Sequence, residues 1–189
     1  MEMLVILLAL LIPAIYMIAP DERNSTELPG NRMPARSRQE LFLMGFSTDL
    51  NNSNIKCVKS TFSSKTNETV VRYVQLKWQI DQHWINVNRS ITIHVPNDPI
   101  VFNLTLDYDD FFMLYAGAKT QYRIKYYNTR CLILGDESPS MWEKPPCSLW
   151  VKINGTRNVP KLCKLHFENN CRNTSIFDQS YWPTCNKTF

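Results

Sequence analysis

Asp107, Asp109 and Asp110 place three carboxylates within four positions. Clustered carboxylates can share a proton, ligate a hard cation or balance an ammonium ion. The same residues also suit a solvated turn or strand end, and nothing beside them completes a catalytic set. His83, His94 and His166 are scattered, each without a nucleophile or metal-ligand partner at a recognisable spacing. Gly-x-Ser-x-Gly, a glycine-rich phosphate loop and His-Glu-x-x-His are all absent. Neither catalysis nor a metal site nor a cofactor is therefore expected. The formal charge of +4 is mild, and the lysines and arginines form no run, which argues against nucleic acid as a partner.

The cysteines carry more information. Cys57, Cys131, Cys147, Cys163, Cys171 and Cys185 are the 6 of the chain, an even count with no Cys-x-x-Cys. In a secreted chain that reads as three disulfides, and spacing leaves their connectivity open. Asn-x-Ser/Thr sequons begin at Asn24, Asn51, Asn67, Asn88, Asn103, Asn154, Asn173 and Asn186. So many imply a heavily glycosylated extracellular protein, with each sequon asparagine on the surface.

These positions must be held by regular elements. Residues 1–19 are mostly apolar and read as a secretory signal peptide, too short for a confident membrane span. Roughly 170 residues then remain, the length of one domain. Residues 20–38, polar with Pro29, Gly30 and Pro34, read as a loose arm before a domain at 39–189. Strands are expected over 40–47, 55–63, 70–80, 84–95, 100–106, 121–127, 131–134 and 147–153. On the third, Val70, Val74, Leu76, Trp78 and Ile80 share a face on which Arg72 is the polar exception. On the fourth, Ile85, Val87, Ile91, Ile93 and Val95 lie opposite Asn86, Asn88, Ser90, Thr92 and His94. The sequons test this parity. Asn88 and Asn103 fall on polar faces, so the apolar faces must point inward. Turn signals recur about every 8 to 12 residues and no helix is expected before residue 158, which predicts an all-β barrel or sandwich. A helix is expected after it, with Asn158 as N-cap and Pro160 early, placing Cys163, Phe167 and Cys171 on one stripe. Residues 176–189 read as an irregular tail.

With the elements in place, the chain resembles the tick salivary lipocalins that include the histamine-binding proteins. The likeness rests on Ile55-Lys56-Cys57-Val58, Tyr126-Tyr127-Asn128-Thr129-Arg130-Cys131, Cys147-Ser148-Leu149-Trp150-Val151, Val159-Pro160 with Cys163, and a late cysteine. Within that group it most resembles the Japanin-like branch, through Gln39-Glu40-Leu41-Phe42-Leu43-Met44-Gly45-Phe46-Ser47, Cys57-Val58-Lys59-Ser60 and Cys147-Ser148-Leu149-Trp150-Val151. The resemblance covers about residues 37–186. It implies an eight-stranded antiparallel barrel with a C-terminal helix packed outside. It also implies the bridges Cys57–Cys185 and Cys131–Cys163, with Cys147–Cys171 as a branch feature.

The barrel interior read from the alternation consists of Leu76, Trp78, Ile85, Val87, Ile91, Ile93, Phe102, Leu104, Tyr122, Ile124, Tyr126, Leu132 and Trp150. Such walls suit a sterol such as cholesterol or a fatty acid, or simply fill the barrel. Arg89 shares the inward parity and either meets a polar group of a ligand or reaches the rim. Amine-binding relatives carry carboxylates where this chain has Leu132 and Ser148, so an amine ligand is disfavoured, although Asp107, Asp109 or Asp110 could supply charge. The resemblance implies a secreted modulator of the host immune response, acting on dendritic-cell maturation. A scavenger of biogenic amines or lipid mediators, and a surface-acting inhibitor of a host protein, are the alternatives. The expected partners are a small apolar ligand and host immune cells or a host surface protein, with a homodimer left open.

Overall fold

The computed structural model describes residues 33–95, 103–138, 140, 142–152, 158–178 and 180–186, and of 103, 104 and 186 the backbone alone. The expected signal peptide, most of the expected arm and the turn at 96–99 lie outside them. Eight antiparallel strands follow the alternation: β1 (Leu41–Ser47), β2 (Ile55–Lys65), β3 (Thr69–Ile80), β4 (His83–His94), β5 (Asn103–Asp107), β6 (Gln121–Tyr127), β7 (Cys131–Gly135) and β8 (Cys147–Lys152). Consecutive strands from β2 to β8 are neighbours, β8 pairs β1, and β1 returns to β2, closing a ring. The closing seam is short, with the two registers Leu41↔Ser60 and Phe42↔Lys59.

Each strand feeds two cores. On β7, Leu132 and Leu134 point into the ring, while Cys131 and Ile133 point outward. Outside, helix α2 (Lys161–Asn170) covers Phe42, Met44, Ile133, Leu149 and Val151, with Phe167 fully buried among them. On β1, Leu41 and Leu43 face inward and Phe42 and Met44 outward, and a bulge between Leu43 and Gly45 shifts the parity so that Phe46 also faces inward.

The bridges are Cys57–Cys185, Cys131–Cys163 and Cys147–Cys171, the pairs the resemblance implies. Two of them fasten α2 to β7 and β8. The third joins residues separated by 128 positions, a loop whose closure limits the unfolded chain by at most about 5 kcal/mol. Cys57 sits at a β2 bulge with φ of 58°, and its N–H donates to Tyr181 Oη at 2.7 Å.

Four expectations need correction. A helix does precede residue 158: α1 (Asp110–Ala116), stopped by Gly117 at φ of 62°. Its aspartates and glycine are helix start and stop signals, which a period-two reading takes for a turn. Helix α2 begins at Lys161 with Pro160, not Asn158, at its N-cap; Pro160 O accepts from Lys164 N–H at 3.0 Å. The tail is ordered by packing rather than by its own pattern: β9 (Thr174–Ile176) pairs β1, and α3 (Tyr181–Asn186) buries Trp182 edge-on to Phe42. Finally, the end of the expected loose arm is a buried 3-10 turn, Pro34–Arg36.

Strand β9 can reach β1 only because Gly45 carries no side chain, since a Cβ there would stand 2.7 Å from Ser175 O. Gly45→Ala is therefore expected to cost about 1–3 kcal/mol. The measurement is urea unfolding, with a lower midpoint at an unchanged slope.

Candidate functional site

An arginine on an inward strand face must find acceptors. Arg72 is 0% exposed, and all five of its N–H donors are used. Nε–H donates to Ser60 Oγ at 2.8 Å, one terminal nitrogen to Ala35 O at 3.3 Å and Ser37 O at 2.6 Å, and the other to Gln39 O at 2.8 Å and Ser60 O at 2.9 Å. Desolvation pulls its pKa down to about 10, against a smaller upward pull from Glu40, so it remains a cation at neutral pH. Ala35, held by one of these bonds, and Met33, whose carbonyl accepts from Arg36 N–H, pack with Val70, Ile93 and Val95 and seal one end of the barrel.

Beyond this plug lies a cavity of about 700 Å³, within the range of small-molecule sites. Its other end is rimmed by exposed and polar residues of 49–53, Lys119, Asp136 and Pro146. Of the expected lining, Leu76, Ile91, Ile93, Tyr122, Leu132 and Trp150 do face it. Phe102 lies outside the described residues, and Leu104 is described only as the backbone partner of Tyr122.

The remaining expected residues are elsewhere, for two reasons. First, among the described residues β5 pairs β4 only at Thr92, Ile93 and His94, so the start of β4 runs past the ring. There Ile85 is 42% exposed. Val87 is buried in a cluster with Phe112. Trp78 packs on Phe111 and Tyr115 of α1, with ring centroids 4.9 and 4.8 Å away. Arg89 pairs with Asp109 at 3.3 Å over the ring of Phe111. Second, a bulge lies between Ile124 and Tyr126. It inverts the parity, so Tyr126 points outward and stacks on His166 at 3.7 Å, while Tyr127 joins the inner cluster. Ile124 packs in that cluster without reaching the cavity.

The carboxylates do not assemble an amine site. Asp107 pairs with His94 and Asp109 with Arg89, and neither they nor Asp110 line the cavity. Among the described residues the lining carboxylates are Asp49 and Asp136, already held by Arg172 and Lys119 at 2.7 and 2.6 Å. Leu132 and Ser148 both line it, and Ser148 Oγ accepts from Trp150 Nε1–H at 3.0 Å. No group of metal-ligating residues occurs among the described residues, and all six cysteines are in disulfides. No described helix is long and apolar enough to cross a membrane.

Sequence reasoning missed Tyr108, Phe112 and the role of Arg72. For Tyr108 the signal was present, because Leu106 and Tyr108 continue the inward parity of β5. For Arg72 the signal was its place as the polar exception on an apolar face.

Residues 33–187 match the family described as tick histamine binding protein. Two curated relatives, Japanin-like-RS of Rhipicephalus sanguineus and Japanin of Rhipicephalus appendiculatus, are each 29% identical over 80% of this chain and 85% of their own length. The solved structure of Rhipicephalus appendiculatus Japanin bound to cholesterol is similar with a TM-score of 0.68 and 26% identity, covering 77% of this chain and 95% of that one.

Removing the buried cation would take a charged donor away from four backbone carbonyls and from Ser60 Oγ. Arg72→Met is expected to cost about 3 kcal/mol or more, and Arg72→Lys to restore part of it. Urea unfolding measures the loss, and limited proteolysis should cut near residues 33–39 in the variants first.

Proposed function

The chain belongs to the tick histamine-binding protein family, and we propose that it is a secreted salivary lipocalin that carries a cholesterol-like sterol and modulates the host immune response by restraining dendritic-cell maturation. The ligand-binding, non-enzymatic character is that of the family. The observation that carries the choice of ligand is the cavity, about 700 Å³ behind largely apolar walls, with the two lining carboxylates among the described residues already paired. An ammonium ligand would have to break one of those pairs or lose its hydration uncompensated. A sterol needs apolar contact and one polar partner. The cholesterol complex of the structural relative supports this reading.

Secretion is supported by the three disulfides, which persist in oxidising compartments, and by the exposed sequon residues Asn51, Asn67, Asn88 and Asn173. The effect on dendritic cells is supported by the likeness to Japanin and Japanin-like-RS.

Titration of the lipid-stripped protein with cholesterol, and separately with histamine, tests the ligand. Saturable binding of one cholesterol per chain is expected. Micromolar or tighter histamine binding without cholesterol binding would overturn the assignment. For the cellular arm, the secreted protein is expected to lower costimulatory markers on endotoxin-treated dendritic cells. Unchanged markers at saturating dose would reject it.

A further inference from the structure

The cavity opens at an end of the barrel that presents apolar side chains to solvent. The up-and-down order of the ring sends the β1–β2, β3–β4, β5–β6 and β7–β8 connections to one end. The rim residues 49–53, Lys119, Asp136 and Pro146 belong to three of them. Each of the four carries exposed large apolar residues within or beside it: Leu50, then Ile80 and Trp84, then Met113 and Leu114 of α1, then Trp142. Leu114 is 68% exposed and Trp142 93%. Met113, Leu114 and Trp142 do not line the cavity, so contact with a ligand inside it does not account for them. Apolar surface gathered in one place marks an interaction site.

This rim is stitched together. Asn52 Nδ2–H donates to Tyr115 O at 3.0 Å, and Gln79 N–H to Asn54 O at 2.8 Å. Lys119 pairs with Asp136 at 2.6 Å, and Arg172 with Asp49 and Glu143 at 2.7 and 3.7 Å. All four connections are thereby joined, and the apolar side chains stand on a fixed frame. The ion pairs also neutralise the rim, since Asp109 and Glu137 are matched by Arg89 and Arg123. Among the described residues, Asp81 and Asp110 enter no salt bridge, and the cations Lys56 and Lys144 balance them. A surface without excess positive charge has no preference for anionic lipid or other polyanions.

A sterol is nearly insoluble in water and is held in bilayers, so a cavity that takes one is most directly filled from a lipid surface at its mouth. Tryptophan with leucine and methionine, on a frame of balanced charge, suits the interface of an electrically neutral bilayer. Resting on the sterol reading above, we infer that this rim docks on a phosphatidylcholine-type membrane surface and that the cavity exchanges its sterol there. A second copy of the chain would bury the same side chains, but it would also cap the mouth. The Asn51 sequon stands on the same rim, where an oligosaccharide comes between the Leu50 lip and the lipid.

The experiment offers the lipid-stripped, secreted protein dehydroergosterol, a fluorescent sterol, either in phosphatidylcholine vesicles or from cyclodextrin, and follows vesicle flotation and sterol uptake. The wild-type protein should float with the vesicles, no more strongly when phosphatidylserine is added, and take sterol from both sources. Leu114→Asp combined with Trp142→Asp should keep the cyclodextrin affinity, which also reports that the variant folds. It should take sterol from vesicles roughly tenfold more slowly, the worth of a large apolar side chain returned to water. Leu162→Asp with Leu165→Asp, equally exposed on α2 outside the ring, should match the wild type, and Asn51→Gln should float more strongly. A wild-type protein that takes sterol from cyclodextrin but does not float, or a rim variant as fast as wild type, overturns this inference alone. A wild-type dimer that the rim substitutions dissociate, without vesicle binding, overturns it in favour of a second copy. A wild-type protein that takes no sterol from cyclodextrin overturns the sterol reading, and this inference with it.

Discussion

A guanidinium held by backbone carbonyls and a serine hydroxyl closes this barrel. The ring's closing seam, β1 against β2, has two residue pairs, too few to hold by themselves. Arg72 adds bonds on both sides of it. Ser60 of β2 receives two of its donors, and Ala35, Ser37 and Gln39, in the segment leading into β1, receive three. The acceptors replace the water that the charge gives up on burial. The same bonds hold Ala35 in the closed end, where it packs with Met33 and shuts off the cavity. An apolar residue at position 72 would pack there without drawing the preceding segment in.

The outer face supplies what the hollow interior cannot. A barrel with an open cavity forgoes part of the packing that normally stabilises a domain of this size. Here Phe167, Leu149 and Ile133 are fully buried outside the ring, together with Trp182 and all three bridges. Stability is concentrated where no ligand goes, and the inner wall is free to be shaped for one.

Alternation of apolar and polar residues revealed nearly every strand, because a half-buried strand repeats every second residue. It failed where that period breaks. The bulge between Ile124 and Tyr126 reverses the faces of β6, and a single inserted residue leaves no signature in composition. It also failed beyond the ring, where Ile85 and Arg89 keep inward parity on a strand with no neighbour on that side. Helix α1 was hidden because seven residues are too few for a helical period to stand out against two aspartates that suit a turn. β9 and α3 are imposed by tertiary contact with β1 and Phe42, which no local pattern encodes. Arg72 was legible as an anomaly but not as an anchor, since its acceptors are backbone carbonyls, which every residue possesses.

Native mass spectrometry of the protein as secreted by cultured cells, with nothing added, asks whether the cavity takes a neutral sterol. The expected result is a bound species whose mass excess is that of one sterol per chain, released on collisional activation without charge loss. An empty protein that takes up histamine in the same instrument would contradict it.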